Sequence, residues 1–251
     1  MRIWCFVRIL VGLAEMSAKT ASMRQKAHRS LADGSFTLNF KPSIDIIAMY
    51  TVSIPKWITY LYPKRLWHMP RTEKKMYLSF DDGPTHQITS WILNQLNFYN
   101  AKATFFCVGA NVERYPMLYR QIRDSGHSIG NHSHNHLNGW RTSTPLYVKN
   151  VKQCQRLIPS NLFRPPYGKL TRQQARALLP EHKIVMWDVL SGDFDPKVSW
   201  KKCVNNILTY SKNGSIIVLH DNIKALKSLK YTLPLVLKHY TRLGFEFCAL
   251  V

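Results

Sequence analysis

The chain has 251 residues, 45% of them apolar, which is enough to bury one large core, and 35 Lys and Arg against 14 Asp and Glu leave a formal charge of +21. That surplus suits an anionic surface or polymer, but the cations are scattered, with no dense run and no zinc-finger or RNP-like motif, so no nucleic-acid partner is expected. The five cysteines (Cys5, Cys107, Cys154, Cys203 and Cys248) are odd in number and form no C-x-x-C pair, which argues against a disulfide framework; Cys107 and Cys248 read as small core residues.

The first residues, Met1 to Ala14, imitate a signal peptide. Arg8 interrupts their apolar run, the run is too short to span a bilayer, and no small-x-small cleavage site precedes the charged stretch from Arg24 to Arg29. A second reading is that residues 1–48, polar, basic and without sustained periodicity, are not part of the folded unit, with Met49 as the biological start. Met49 opens a segment rich in aromatics: Tyr50, Trp57, Tyr60, Tyr62 and Trp67. With Pro55, Pro63 and Pro70 spacing them, residues 49–73 read as a lead-in that packs against or caps the domain that follows. Membrane contact is expected to be peripheral at most, and location, cytoplasmic or cell-envelope, stays open.

Residues 74–251 alternate short apolar runs with amphipathic segments. The pattern predicts strands at Met76–Phe80, Ala103–Val108, His127–Gly130, Ile184–Trp187, Ser215–Leu219 and Phe245–Leu250. It predicts helices at 87–98, 112–124, 144–157, 171–179, 198–211 and 224–241. Such a strand-helix succession implies an α/β domain with a mainly parallel sheet and right-handed crossovers. Chemistry-bearing residues fall just after the strands: Asp81 and Asp82 after the first, His132 and His136 after the third, His220 after the last but one. In parallel barrels the loops at the carboxyl ends of the strands converge on one face, so these residues can meet.

Ser79-Phe80-Asp81-Asp82-Gly83-Pro84 places two carboxylates side by side, a repulsive arrangement unless something nearby uses one of them. His132 and His136 stand at i, i+4, which on a turn of helix points both imidazoles the same way. With Asp82 they would offer two nitrogens and a carboxylate oxygen to a divalent ion. Zinc fits that set best, and cobalt, nickel, iron or manganese also suit mixed N/O ligands. His134 leaves i, i+2 pairs open as alternatives. Asp81 would then be free to accept a proton from water, and His220, at the end of the apolar run from Ser215 to Leu219, could donate one to a leaving group. Gly83 is expected to supply the conformation that folds the loop back, and Pro84 to direct the chain into the next helix. Arg164-Pro165-Pro166-Tyr167-Gly168 makes a stiff loop with one cation whose expected partner is Asp193 through a bidentate pair, and the Tyr167 N–H could face a developing oxyanion. Asp188, Asp195 and Asp221 read as turn or strand-end residues. Each feature alone also has a structural reading: a solvated His-rich loop, an Asp-Gly turn, a strand-end His, a surface ion pair.

Taken in order, these motifs resemble those of the NodB-type polysaccharide deacetylases, carbohydrate esterase family 4. That family's T-F-D-D-G-P appears as Ser79 to Pro84, H-[ST]-x-x-H as His132 to His136, R-x-P-[YF]-G as Arg164 to Gly168, and L-x-H as Val218-Leu219-His220. The fourth motif, D-x-x-D-W, departs: Leu190 to Phe194 keeps only the second acid, Asp193, and has Phe194 for Trp. The resemblance implies a distorted, incomplete (β/α) barrel of about seven parallel strands, the NodB homology domain. It implies a metal-dependent hydrolase that removes N-acetyl groups from an N-acetylhexosamine-containing poly- or oligosaccharide and releases acetate. Asp81 would be base, Asp82, His132 and His136 ligands of one divalent metal, and His220 acid. Arg164 and Asp193 would hold Asp81 and His220, with Tyr167, Phe194 and Leu219 on the substrate side and Leu219 in the acetyl-methyl pocket. Two other readings are an O-acetyl esterase on a polysaccharide such as xylan and a non-catalytic glycan-binding barrel.

Overall fold

The runs with the strongest β signal are buried on both faces, as parallel strands covered by helices must be. They form β1 (Lys75–Asp81), β2 (Ala103–Cys107), β3 (Ser128–Asn131) and β7 (Ile216–His220). The computed structural model describes residues 51–251; the expectations for residues 1–48 and for a start at Met49 lie outside them. Short strands complete the sheet: β4 (Leu162–Phe163), β5 (Lys183–Ile184), β6 (Val189–Leu190) and β8 (Glu246–Phe247). The order is β5-β4-β3-β2-β1-β7-β6, all parallel, with β8 also paired to β1. The seven strands on this path curl into an incomplete, distorted (β/α) barrel.

Side-chain alternation along the strands sorts the core into two layers. Met76, Leu78 and Phe80 of β1 pack outward with Ile92 and Leu96 of helix α2 (Ile88–Phe98) and with Leu229, Leu233 and Leu237 of the long C-terminal helix (Ile223–Arg242). Tyr77, Phe106, Leu162, Val185 and Ile216 cluster on the inner side. Ser79 and Asp81, two apart on β1, share that inner side, so polar chemistry and greasy helix packing occupy opposite faces of one strand.

An incomplete barrel leaves two sheet edges, and unpaired edges invite association. Here the segment before β1 is hydrogen-bonded to both end strands. The Leu190 N–H donates to Val52 O (2.8 Å) on the β6 side; on the β5 side the Leu66 N–H donates to Ile184 O (2.9 Å) and the Met186 N–H to Leu66 O (2.7 Å). Between these contacts lies a six-residue helix, α1 (Lys56–Leu61), and after it the buried Trp67 packs in a cluster with Phe163, Ile184 and Met186.

Local chemistry explains where element boundaries depart from expectation. The helix expected over 112–124 is two helices, α3 (Gly109–Arg114) and α4 (Pro116–Asp124), because Pro116 lacks an N–H and forces Tyr115 out of helical geometry (φ −128°, ψ 58°). Strands β4 and β6 were not expected; two-residue strands carry no readable alternation. The remaining helices are α5 (Thr144–Gln155), α6 (Arg172–Leu178, started by a Thr171/Gln174 capping box), α7 (Trp200–Tyr210) and α8 (Ile223–Arg242). If the lead-in is integral to the barrel, Trp67→Ala should cost about 3–5 kcal/mol, the usual range for emptying a buried aromatic site, measured by urea unfolding. A loss under about 0.5 kcal/mol, the surface value, would mean that the lead-in is dispensable.

Candidate active site

Strand register does the first part of the assembly. Asp81 ends β1 directly opposite His220, which ends β7. Asp82, the next residue, adopts a left-handed conformation (φ 78°), and the two adjacent carboxylates go to different partners. The expectation that Gly83 supplies this turn is corrected: the positive φ belongs to Asp82. Gly83 is required for space, since a Cβ there would run into the Asp221 carboxylate.

Asp81 accepts from Arg164, Nη1 to Oδ1 2.7 Å. Arg164 follows β4 and is wholly buried. Its fork is satisfied by Ser79 Oγ (2.7 Å), Met186 O (2.9 Å) and Val185 O (3.4 Å), and it lies 4.0 Å over the Phe106 ring. Burial lowers its pKa and Asp81 opposes the shift. The bidentate pair expected between Arg164 and Asp193 is therefore corrected. Asp193 serves His220 instead, accepting its backbone N–H (Oδ2, 2.8 Å) and facing its Nδ1 (Oδ1, 2.8 Å), while the Ser191 hydroxyl donates to the same carboxylate (2.9 Å). The two acids lie at different strand ends: Asp81 at the end of β1 takes the cation that follows β4, and Asp193 after β6 takes the imidazole that ends β7.

Burial by itself would lower the His220 pKa, but the Asp193 carboxylate at contact, aided by Asp82 and Asp81, raises it to about 9. The imidazole is thus a cation at neutral pH, able to give up a proton.

Asp82, His132 and His136 present ligand atoms all within 4.8 Å of one another. The expected helical turn is absent: Ser133 (φ 61°) and His136 (φ 53°) are left-handed, and the loop is pinned by Asn131, which accepts from the Ser133 N–H (2.8 Å), and by Asn150, which accepts from the N–H groups of His134 and Asn135 (3.0 Å each). The result still brings the two imidazoles to 5.0 Å between centroids. His134 points elsewhere, 3.7 Å from Glu113 on α3, which removes the alternative pairs.

The donor set itself asks for a cation. His132 Nδ1 lies 2.8 Å from the Arg164 carbonyl, which only accepts, so in the neutral ring Nδ1 carries the hydrogen and Nε2 is a lone pair. That lone pair faces Asp82 Oδ1 at 3.5 Å, and His136 Nε2 faces the same oxygen at 3.0 Å. Converging acceptors are stable only with a proton or metal ion among them, and an outward nitrogen held by a carbonyl is how metal-binding histidines are oriented. Burial alone would raise the Asp82 pKa; when the two Nε2 atoms carry protons, their hydrogen bonds hold it well below the usual carboxylate range. Sequence reading missed two supports: Asn222 donates to Asp82 Oδ2 (2.6 Å) and Asn111 to its backbone carbonyl (2.7 Å). Asn222 also caps α8, its Oδ1 accepting from the Ala225 N–H (3.0 Å).

Tyr167 (φ 60°, ψ 9°) lies beside this group, its hydroxyl 3.2 Å from His136 Nδ1. The Phe194 ring is 4.8 Å from the His220 ring. Leu219 is corrected: it is fully buried in the outer layer with Phe80 and Ile217, because neighbours on a strand face opposite ways. Val218, two residues before His220, shares the inner side. Asp221 is at a strand end as expected but is wholly buried, its pKa pushed up to about 7 by desolvation against a hydrogen bond from Thr89 (2.7 Å).

The sequence profile of the polysaccharide deacetylases matches residues 68–185. A peptidoglycan-N-acetylglucosamine deacetylase of Bacillus cereus is 31% identical over 192 residues, 72% of this chain and 88% of that protein. PgdA of Listeria monocytogenes, a peptidoglycan-N-acetylglucosamine deacetylase, is 30% identical over 190 residues; it is longer, and the match covers 70% of this chain but 38% of PgdA. Among solved structures, the Bc1960 peptidoglycan N-acetylglucosamine deacetylase in complex with an N-oxidanyl-benzamide superposes with a TM-score of 0.70 at 28% identity, over 76% of this chain and 94% of that one.

The position of Leu219 gives a direct check on the two faces of β7. Leu219→Ala should lower stability by about 2–5 kcal/mol in urea unfolding, the range for emptying a buried leucine site. Unaltered stability would return Leu219 to the site.

Proposed function

The chain belongs to the polysaccharide deacetylase family, and from that membership we propose that it is a metal-dependent hydrolase removing N-acetyl groups from an N-acetylhexosamine-containing glycan of peptidoglycan type. The observation that carries this reading is the convergence of two imidazole nitrogens and one carboxylate beside a second carboxylate held apart by a buried arginine. The names of the similar proteins favour peptidoglycan as the polymer. Asp82, His132 and His136 would hold one divalent ion, zinc by ligand type. When bound, that ion would supply a Lewis acid that polarises the acyl oxygen and acidifies water.

The protein's own groups divide the proton work. Asp81, oriented by Arg164, takes a proton from the water whose oxygen attacks the amide carbonyl carbon. The Tyr167 backbone N–H stabilises the developing oxyanion. His220, a cation by virtue of Asp193, protonates the departing nitrogen as the C–N bond breaks, leaving acetate and a free amine. Phe194, beside His220, forms part of the wall that meets the sugar.

Two experiments test these roles. Asp81→Asn should abolish acetate release from N-acetylglucosamine oligomers while retaining zinc, whereas His132→Ala should lose both, as read by metal analysis and an acetate assay. Full activity in either variant overturns the assignment, and faster release from acetylated xylan than from the amide substrates overturns the N-acetyl preference. The second test is pH. A His whose folded pKa is raised keeps its proton until about pH 9, so kcat/KM should fall as pH rises through about 9. Asp193→Asn should move that alkaline limb down toward about 6.5, the ordinary His value. The same linkage makes the stabilisation from this pair complete below about pH 6.5 and lost as pH rises through about 9.

A further inference from the structure

Helix α1 carries a face that the barrel does not use. Ile58 and Tyr62 pack inward against the Trp67 cluster, whereas Trp57, Tyr60 and Leu61 are 63%, 77% and 63% exposed. Beside it lies a cavity of about 270 Å³ whose rim carries Lys64, Arg65, Arg172 and Arg176, with Leu61 and Leu179 among its apolar walls. Arg172 and Arg176 are four apart on α6 and so project from one side of that helix. Arg65 is half-buried, stacked 4.3 Å over the Tyr62 ring, and burial lowers its pKa.

No carboxylate lines this cavity, and among the described residues none forms an ion pair with these four cations. Glu181, just beyond α6, is taken by Lys152 (2.9 Å). Four cations, one of them partly desolvated, therefore lack a counter-charge, and beside them stands a helix whose outer residues are Trp, Tyr and Leu. Trp and Tyr prefer the boundary between lipid headgroups and acyl chains, and Lys and Arg beside such a boundary attract anionic headgroups. Aromatic and leucine side chains standing out from one helix face beside these cations suit insertion into a lipid interface. Among the described residues no helix is long and apolar enough to cross a membrane, so the contact would be made from one side.

We propose that this face docks the protein on a bilayer containing anionic phospholipid, with lipid phosphates at Lys64, Arg65, Arg172 and Arg176 and with Trp57, Tyr60 and Leu61 seated in the headgroup region. The catalytic groups take no part in it, so the proposal stands or falls separately from the deacetylase reading.

The test is co-sedimentation of the full chain with phosphatidylcholine vesicles with and without phosphatidylglycerol, read as bound protein and therefore without turnover. Binding should require the anionic lipid. R172Q/R176Q should weaken it roughly thirtyfold, the loss expected from two interfacial cations. K201Q/K202Q, which removes two exposed lysines on α7, should change it less than about threefold, because charges beyond a Debye length contribute little. W57S/Y60S should abolish the part of the binding that survives high salt, with no change in unfolding midpoint. Equal weakening by both charge pairs would mean non-specific attraction and overturn the site. So would no binding to anionic vesicles, or binding to poly(glycerol phosphate) as tight as to vesicles and indifferent to W57S/Y60S. A W57S/Y60S variant that loses stability without losing vesicle binding would mean that the protein itself covers the outer face of α1, and would also overturn the proposal.

Discussion

A guanidinium buried without water must be neutralised and fully hydrogen-bonded, and Arg164 imposes that requirement on everything around it. From its own position after β4 it gathers neighbours from three other strands or their ends: Ser79 and Asp81 on β1, Phe106 on β2, and Val185 and Met186 after β5. Its backbone carbonyl also fixes His132 through Nδ1. One residue thus sets the orientation of the carboxylate assigned as base and of one imidazole assigned as ligand. Removing either member of the buried pair would leave the other charge stranded, at a typical cost of about 3–5 kcal/mol. The interaction that orders the site is therefore also one on which the inner core depends.

The remaining electrostatics follow from keeping like charges on different partners. Asp81 and Asp82 are adjacent in sequence, and the left-handed turn at Asp82 lets one face Arg164 and the other the two histidines. Across the β1–β7 pair, Asp193 gives His220 its own counter-ion, so base and acid candidates stand in register without neutralising each other. In a neutral pair of groups these assignments could exchange. Here each is locked by a separate short hydrogen bond, Asp81 to Arg164 and His220 to Asp193.

The incomplete barrel explains the lead-in. Closing the sheet would have used the edges of β5 and β6; leaving it open exposes backbone groups. The segment around Val52 and Leu66 meets those groups and is itself held by Trp67. Its helix α1, required to span between the two edges, has its inner side taken by the core and its outer side left for another use.

The amino-acid sequence alone determined the parallel α/β order, the strand-end placement of Asp81, Asp82, His132, His136 and His220, and the motif set that matches the family, because hydrophobic alternation and residue spacing are local properties. It did not determine partners. Residue chemistry alone paired Asp193 with Arg164, and only the motif resemblance set it beside His220, where it lies; Leu219 was placed in the substrate pocket and belongs to the core; Gly83 was given the turn that Asp82 makes. Asn111 and Asn222 carried no signal of contact with Asp82. Strands β4 and β6, two residues each, carried no periodicity to read. All of these depend on which strand ends are brought together and which side of a strand a residue faces, and those are fixed only when the sheet curls and the buried arginine selects its carboxylate.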